Sequence, residues 1–137
     1  MLTGIILAAG NSTRMGSPKA LLETPDGQLF VSRIIHTWHA AGVHEVVVVT
    51  GRDHDEVAAA IARDGFAPPP LIVQNPDPSR GQLSSLLVGL DAAASSECVL
   101  MTLVDSPLAA LATVRAVIDE WRRSRDRVSS CRACSRR

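Results

Sequence analysis

Residues 2–19 read Leu2-Thr-Gly-Ile-Ile-Leu-Ala-Ala-Gly-Asn-Ser-Thr-Arg-Met-Gly-Ser-Pro-Lys19. The apolar run at residues 2–8 predicts a buried β-strand. Gly10 and Gly16 then allow backbone conformations that a Cβ would hinder, and short polar residues lie between them. Arg14 and Lys19 add two positive charges. A strand that leads into a glycine-rich turn with Arg and Lys is suited to binding a polyphosphate.

The spacing of this loop differs from the two commonest phosphate-binding motifs. The Walker loop requires Gly-x-x-x-x-Gly-Lys-Ser/Thr, but five residues separate Gly10 from Gly16, and Lys19 lies three residues after Gly16. The dinucleotide fingerprint Gly-x-Gly-x-x-Gly is also absent. A kinase-like protein is therefore disfavoured, and an ordinary loop with incidental charge is the plain alternative.

Composition excludes several classes of protein. The chain has 137 residues, of which 46% are hydrophobic and 20% charged, so one folded domain with a core is expected. The formal net charge is zero, which gives no overall positive field for nucleic acid. The first apolar run lacks a basic flank and is too short for a signal peptide or a membrane span. We therefore expect a cytoplasmic protein with no nucleic-acid or membrane partner.

Four apolar runs, near residues 2–8, 45–50, 71–74 and 98–104, predict strands. The intervals show helical period at residues 28–41, in a short helix ending near Gly65, at 82–94 and at 108–123. This alternation predicts an α/β, Rossmann-like fold with a mostly parallel sheet and right-handed crossovers. The carboxyl ends of the strands should then bring the 7–19 loop, the 75–85 segment and Asp105 together.

Two further groups of residues are candidates for binding. Gly81 lies at a predicted helix entry with Ser84 and Ser85 in the first turn, where backbone N–H groups can bind a ligand; ordinary helix capping is equally open. Asp105 directly follows the fourth apolar run, and a carboxylate at that edge suits Mg²⁺. The alternative is that Asp105 caps a helix starting near Pro107.

Other chemically capable side chains have simpler interpretations. Trp38 falls on an apolar helix stripe and is expected in the core, with base stacking as the alternative. His36 and His39 are expected at the solvent edge, since a His-x-x-His pair lacks a third ligand nearby. Cys131 and Cys134 form a single Cys-x-x-Cys, which supplies too few ligands for a zinc site.

The opening loop resembles that of a known family. Leu7-Ala-Ala-Gly-x-Ser-x-Arg-Met-Gly-x-x-Lys19 is similar to the signature loop of the MobA-like nucleotidyltransferases. Its variant Ser-Thr-Arg-Met-Gly-x-Pro-Lys-Ala-Leu-Leu, residues 12–22, most resembles molybdenum cofactor cytidylyltransferases. The resemblance implies a three-layer sandwich of the nucleotide-diphospho-sugar transferase type, in which this loop holds the triphosphate of an NTP.

The resemblance also implies roles for individual residues. Arg14 and Lys19 would be catalytic, neutralising charge on the leaving pyrophosphate, and Asp105 of Asp105-Ser-Pro107 would be catalytic and the Mg²⁺ ligand. Gly-Gln-Leu-Ser-Ser-Leu at residues 81–86 is similar to a segment that contacts base and ribose. The implied substrate-binding residues are Leu7, Ala8, Ala9, Gly10, Ser12, Gly16, Asn75, Gly81, Ser84 and Ser85.

The implied reaction transfers a nucleoside monophosphate from an NTP to a phosphate-bearing acceptor and releases pyrophosphate. By resemblance the NTP is CTP in preference to GTP, and the acceptor is the pterin phosphate of molybdenum cofactor. A guanylyl transfer or a sugar-phosphate acceptor stays open. A molybdoenzyme or its chaperone is the protein partner that such an activity implies.

The resemblance covers residues 1 to about 121, which we expect to form the NTP-binding domain. Family members continue with further strands, a Gly-His-Pro-like segment and a second acidic metal ligand, which this sequence lacks. Residues 122–137 are dominated by Arg, Ser and Cys and are expected to be disordered; a basic nucleic-acid arm is the alternative. We therefore expect a truncated or frame-shifted product, with an inactive NTP-binding remnant as the alternative function.

Overall fold

A computed structural model describes residues 1–10 and 16–134, with side chains up to residue 125. Strands and helices alternate along the described chain, with short 3₁₀ turns at Lys19–Leu21 and Pro78–Arg80. The elements are β1 (Leu2–Ala8), α1 (Phe30–Ala40), β2 (Glu45–Thr50), α2 (His54–Asp64), β3 (Leu71–Gln74), α3 (Gln82–Ala92), β4 (Cys98–Leu103) and α4 (Leu111–Cys134). The predicted alternation of strands and helices is confirmed.

The strands form one parallel sheet in the order β3-β2-β1-β4. In its register, Ile6 of β1 pairs with Val48 of β2 on one side and with Thr102 of β4 on the other. The chain first builds outward from β1 to β3 and then returns to the opposite side of β1. That reversal is a topological switch point, and open α/β sheets bind ligands at the carboxyl ends of such strands.

The sheet carries apolar side chains on both faces, because successive residues of a strand point in opposite directions. Ile6 and Val48 pack in a cluster with α1, α2 and α4. Ile5 and Val49 pack in a smaller cluster on the face covered by α3. Both faces of β1 and β2 are thus buried, as their continuous apolar runs predict.

Helix α1 packs very closely on β1. A Cβ at Gly4 would lie 2.2 and 2.3 Å from two ring atoms of Trp38, and Trp38 is only 3% exposed. Glycine at this position therefore makes room for the indole ring. The prediction that Trp38 belongs to the core is confirmed, and nothing in this position supports stacking on a nucleotide base.

The start of two helices differs from prediction for local reasons. Leu29 forms an antiparallel bridge with Glu23, so α1 begins at Phe30 instead of residue 28. Helix α4 begins at Leu111 instead of residue 108. Asp105 lies in the preceding turn, and the alternative in which it caps this helix is wrong.

The end of α4 also differs from prediction. The helix continues to Cys134, so the expectation of a disordered segment from residue 122 is not met for the backbone up to that residue. Residues 111–134 contain no Gly or Pro, and Arg is a good helix former. Ion pairs from Arg122 to Asp119 (3.6 Å) and from Arg123 to Glu120 (3.3 Å) lie along its surface. In the described part of the chain, no helix combines the length and the hydropathy of a membrane-spanning segment.

Candidate functional site

A cleft of about 340 Å³ opens where β1 and β4 end. This volume falls in the range of small-molecule sites, roughly 300–1,000 Å³. One side is formed by the end of β1 with Ala9 and Gly10, and the opposite side by the start of α3. Its lining residues are Leu7, Ala8, Ala9, Gly10, Lys19, Pro78, Gly81, Gln82, Ser85, Leu103, Val104 and Asp105.

Lys19 and Asp105 meet in this cleft. The Lys19 Nζ lies 3.4 Å from Asp105 Oδ2, and the two side chains are 43% and 44% exposed. Lys19 begins the 3₁₀ turn after Pro18, whereas Asp105 follows β4, in a turn closed by a hydrogen bond from Ser106 N to Leu103 O (3.2 Å). Opposite charges that follow the neighbouring parallel strands β1 and β4 can therefore both reach a ligand at the same edge of the sheet.

The floor of the cleft is the tightly packed end of β1. Val104 N donates to Leu7 O at 3.0 Å, which extends the β1–β4 pairing into the site. A Cβ at Gly51 would lie 3.1 Å from Ala9 O, so β2 supports this backbone closely from the other side. The predicted contacts of Leu7, Ala8, Ala9 and Gly10 with the site thus correspond to residues that line the cleft.

Three further residues of the opening loop were predicted to take part in the site, and the structure describes one of them. Ser12 and Arg14 lie outside the described residues, so their roles stay predictions. Gly16 has φ +66, a left-handed conformation that favours glycine, and it is exposed and does not line the cleft. Its contribution is therefore to the path of the chain towards Lys19.

The opposite side of the cleft, which we name the α3 wall, consists of Pro78, Gly81, Gln82 and Ser85. Gly81 is the N-cap of α3 and has φ +88 and ψ −179, a conformation available mainly to glycine. No side chain caps this helix. Of the alternative of ordinary capping, the structure therefore keeps Gly81 at the N-cap position and shows no capping bond from the serine side chains; Ser85 lines the cleft.

Asn75 and Ser84 lie behind the α3 wall and do not line the cleft. Asn75 is only 3% exposed. Its side-chain Nδ2 donates to Ser84 Oγ and Ser85 Oγ, each at 2.9 Å. The predicted residues of the 75–85 segment thus lie close together. Gly81 and Ser85 line the cleft, whereas Asn75 and Ser84 lie next to them and do not line it.

Sequence reasoning missed four lining residues: Pro78, Gln82, Leu103 and Val104. Leu103 and Val104 were part of a predicted strand, and their position directly before Asp105 was the signal that could have identified them. Gln82 directly follows Gly81, and Pro78 lies three residues before it, within the predicted loop. Each missed residue is therefore within three positions in sequence of a residue that the patterns indicate.

The possible metal ligands of the cleft reduce to one carboxylate among the described residues. In residues 1–10 and 16–125, no group of three or more His, Cys, Asp or Glu side chains is arranged to hold a metal. Asp105 is a single carboxylate, half exposed to the cleft. Mg²⁺ commonly uses one or two carboxylates together with substrate phosphates and water, so Asp105 fits a metal that arrives with a nucleotide.

A histidine cluster lies outside the cleft. The rings of His36 and His39 pack against Phe66, with centroid distances of 4.8 and 5.9 Å, and His44 lies 6.2 Å from His39. His39 is half-buried, and its Nε2 has no hydrogen-bond partner among the described residues. Burial, reinforced by His44 and His36, lowers the pKa of His39. The expectation that His39 lies at the solvent edge is therefore only partly met.

Comparison with known proteins agrees with this geometry. The sequence profile of the MobA-like NTP transferase domain matches residues 4–137.

The chain belongs to the MobA-like NTP transferase family.

Proteins with sequences similar to this MobA-like domain have names that indicate different activities. It is 38% identical to nicotine blue oxidoreductase of Paenarthrobacter nicotinovorans, over 90% of this chain and 59% of that protein. It is 29% identical to a probable molybdenum cofactor guanylyltransferase of Rhodopirellula baltica, over 90% of this chain and 57% of that protein. The chain thus spans a little over half the length of these relatives.

Solved structures share the fold of the MobA-like domain. A nucleotidyl transferase from Methanothermobacter superposes with a TM-score of 0.72 at 30% identity, covering 87% of this chain and 57% of that one. A Mycobacterium tuberculosis protein solved as a manganese complex gives 0.63 at 31% identity, covering 86% and 58%. The Rossmann-like fold predicted from the strand pattern is confirmed.

Proposed function

We propose that the cleft binds an NTP and that the protein is a nucleotidyltransferase. The observation that carries this proposal is the approach of Lys19 Nζ to Asp105 Oδ2, 3.4 Å apart in a cleft at the switch point. An ammonium group and a carboxylate at one position suit a polyphosphate and its divalent cation. The profile match over residues 4–137 supports the same assignment.

In the proposed reaction, a phosphate oxygen of the acceptor attacks the α-phosphorus of the NTP. A new phosphoanhydride bond forms, the bond between the α- and β-phosphates breaks, and pyrophosphate leaves with the electron pair. Such chemistry depends on positioning and on stabilising negative charge. Lys19 would neutralise the triphosphate and the departing pyrophosphate, and Arg14 is proposed for the same role.

Asp105 would hold the divalent ion. The ion that Asp105 would hold supplies positive charge, which would offset the negative charge that develops on the phosphates during transfer. Asp105 lies on a short turn directly after β4, which pairs with β1 at one side of the sheet, so its carboxylate would be oriented before the nucleotide arrives. The manganese complex of a structural relative supports a divalent ion in this family, and Mg²⁺ is our proposal for this chain.

The α3 wall is proposed to contact the nucleoside. Gly81 would let the backbone approach the ligand closely, and Gln82 and Ser85 would offer polar groups to the base or ribose. CTP is proposed as the NTP and the pterin phosphate of molybdenum cofactor as the acceptor, with GTP and a sugar phosphate as the competing choices. The guanylyltransferase relative makes the comparison of CTP with GTP the first one to perform.

The test is pyrophosphate release measured with each of the four NTPs, with and without Mg²⁺, in the presence of molybdenum cofactor or a sugar phosphate. Nucleotide binding is measured in parallel by calorimetry. Lys19→Ala should weaken NTP binding by about tenfold or more, since a charge-assisted contact contributes roughly 1.5–3 kcal/mol. Unchanged binding in this variant would contradict the assignment of the loop.

Two other functions are separated by the same measurements. NTP binding without pyrophosphate release for any acceptor would indicate an inactive remnant. The similarity to nicotine blue oxidoreductase favours, as a second candidate, an oxidoreductase built on this fold. Oxidation of NADH or NADPH, with no NTP binding to the cleft, would support that candidate and contradict nucleotidyl transfer.

A further inference from the structure

The residue that follows β2 packs against the backbone at the floor of the cleft. Gly51 comes directly after this strand and is buried. A Cβ at Gly51 would lie 3.1 Å from Ala9 O and 3.2 Å from Ala9 Cα, closer than an ordinary carbon contact of about 3.5–4.0 Å. Both atoms belong to the backbone, which cannot rotate aside as a flexible side chain can. Ala9 can therefore keep this position only beside a glycine.

The need for glycine at residue 51 comes from space and not from backbone conformation. The φ of Gly51 is not positive, so alanine can adopt the same backbone dihedral angles. What alanine adds is one methyl group against Ala9. The substitution Gly51→Ala therefore tests this contact without imposing a strained backbone angle at residue 51.

Hydrogen bonds hold the end of β2 in place. Thr50 is fully buried, and its Oγ1 donates to Val73 O at 3.1 Å. Gln74 Nε2 donates to Gly51 O at 3.1 Å. Because both bonds anchor this end of β2 to β3, residue 51 cannot easily move away from β1. A methyl group at residue 51 would therefore displace Ala9.

The orientation of the peptide between Ala9 and Gly10 decides where its N–H points. The carbonyl oxygen of this peptide lies on the side of Gly51. The C=O and N–H of a planar trans peptide point in opposite directions, so the Gly10 N–H is directed away from β2. On that side of β1 lies β4, which Asp105 follows into the cleft. A backbone N–H in this direction is suited to an anionic oxygen.

We propose that Gly51 is a positioning residue for the triphosphate: because it has no Cβ, the Ala9–Gly10 peptide can direct its N–H into the cleft. The proposal rests on the proposed function, in which the segment after β1 holds the triphosphate of an NTP. Gly51 does not line the cleft, and its effect passes through Ala9. A methyl group at residue 51 should weaken phosphate binding and leave the preference among the bases unchanged.

Gly89→Ala is the matched control for this substitution. A Cβ at Gly89 of α3 would lie 2.7 Å from Ile5 Cγ2 and 3.1 Å from Val49 Cγ2. This variant also adds one methyl group to a crowded glycine whose φ is not positive. The crowding falls on side chains of the core, and Gly89 does not line the cleft. Gly89→Ala therefore reports the effect of overpacking without displacement of Ala9.

Calorimetry on the full chain measures dissociation constants for inorganic tripolyphosphate and for the four NTPs, each with Mg²⁺. Gly51→Ala should weaken tripolyphosphate binding by about tenfold, from the loss of one hydrogen bond to a charged group. All four NTPs should lose affinity by a similar factor. In Gly89→Ala the affinity for tripolyphosphate should stay within about twofold, although urea denaturation shows a loss of stability from overpacking.

A second measurement needs no variant. In amide NMR spectra of the unmodified protein, the Gly10 resonance should shift when tripolyphosphate and Mg²⁺ are added, because its N–H donates to a phosphate oxygen. The Gly27 resonance is the internal control, since its N–H donates to Thr24 O at 2.9 Å in a turn that does not line the cleft. It should not move.

The outcomes separate the positioning role from the proposed function. Equal losses of tripolyphosphate affinity in the two glycine variants would show a general structural defect and overturn the proposal. Unchanged affinity in a folded Gly51→Ala protein, or a loss confined to one base, would overturn it as well. If Gly51→Ala does not fold, the Gly10 resonance decides between support and refutation. If the unmodified protein binds neither NTP nor tripolyphosphate, the proposed function itself fails, before any substitution is made.

Discussion

At the scale of single residues, Asp105 presents a negative charge to the cleft before any nucleotide arrives. The Lys19 ammonium group lies beside it at 3.4 Å, so the pair offsets part of its own charge. A nucleotide without a metal must therefore approach a carboxylate of the same sign. With a divalent ion, that carboxylate becomes an attractive group, which makes metal and nucleotide binding mutually dependent.

The first prediction follows from the negative charge of Asp105. Asp105→Asn should bind NTP more tightly than the unmodified protein when EDTA is present, by up to about tenfold for a removed charge at this range. Mg²⁺ should then add little further affinity in the variant. Calorimetric titration with and without EDTA measures both effects, and Asp91→Asn on α3 controls for the change in net charge. An equal Mg²⁺ enhancement in both proteins would remove Asp105 from the metal site.

His39 gives a prediction on acid stability. Burial, with His44 and His36 nearby, lowers the pKa of His39 in the folded protein, whereas the unfolded chain has a value of about 6.5. The unfolded state therefore binds protons more readily. The stabilising effect of a neutral His39 is present above about pH 6.5 and is lost as the pH falls through the lowered folded value.

His39→Leu should consequently show a smaller loss of unfolding free energy between pH 7.5 and pH 5.5 than the unmodified protein. Urea denaturation at the two pH values gives this difference. His36→Gln, at an exposed position of the same cluster, is the comparison. An identical pH dependence in His39→Leu would show that another group governs acid stability.

At the scale of secondary-structure elements, the contact of α1 with β1 depends on one missing Cβ. Gly4→Ala would put a methyl group 2.2 Å from a Trp38 ring atom, and the ring is too well enclosed to move freely. Overpacking of this kind costs about 3 kcal/mol at the upper end of its usual range. The free energy of unfolding of Gly4→Ala should fall by about that amount.

A double-mutant cycle tests whether the contact with Trp38 causes the loss of stability in Gly4→Ala. In a Trp38→Leu background, space is available, so adding Gly4→Ala should cost clearly less than it does beside tryptophan. Denaturant titration of the four proteins gives the coupling. A cost that is independent of residue 38 would place the origin elsewhere, such as in the backbone of β1.

The length of helix α4 could not be predicted from the periodicity of its apolar residues. Its apolar face includes the buried Val114 and Ile118, and prediction ended the helix where apolar periodicity stops. The helix continues because nothing in the sequence up to Cys134 breaks it. Periodicity reports which face is buried, whereas the length of a helix also depends on backbone propensity.

At the scale of the whole molecule, β1 belongs to two apolar clusters at once. Ile6 packs on the α1, α2 and α4 face and Ile5 on the α3 face, and both are fully buried. The cluster on the α3 face is less completely shielded from solvent, since Leu83 and Leu87 of α3 are 66% and 58% exposed. A central strand shared by both clusters should couple them into one unfolding unit.

We expect Ile5→Ala and Ile6→Ala each to lower the free energy of unfolding by about 2–5 kcal/mol. Leu87→Ala, at an exposed position, should change it by only about 0.5 kcal/mol. Tryptophan fluorescence and far-ultraviolet circular dichroism should follow one transition in all of these proteins. Two separate transitions in either isoleucine variant would show that the faces unfold independently.

Much of the fold could be predicted from sequence because the relevant signals are local. The four apolar runs gave strand positions to within one residue, and Gly65, in the left-handed conformation, ends α2 as glycine commonly does. The site was foreseen in outline, since residues after parallel strands meet at one edge of the sheet. The division of the 75–85 segment into lining and supporting residues was not foreseen, because exposure depends on neighbours from other elements.

The sequence by itself determined the alternation of strands and helices and the presence of a charged, glycine-rich segment after β1, because consecutive residues encode periodicity and local composition. Only the tertiary structure decided that Lys19 and Asp105, 86 residues apart in sequence, lie 3.4 Å from each other. It also decided that Asn75 is behind the α3 wall. Both results come from the parallel pairing of β4 with β1 and from the packing of α3, whose distances depend on the whole chain at once.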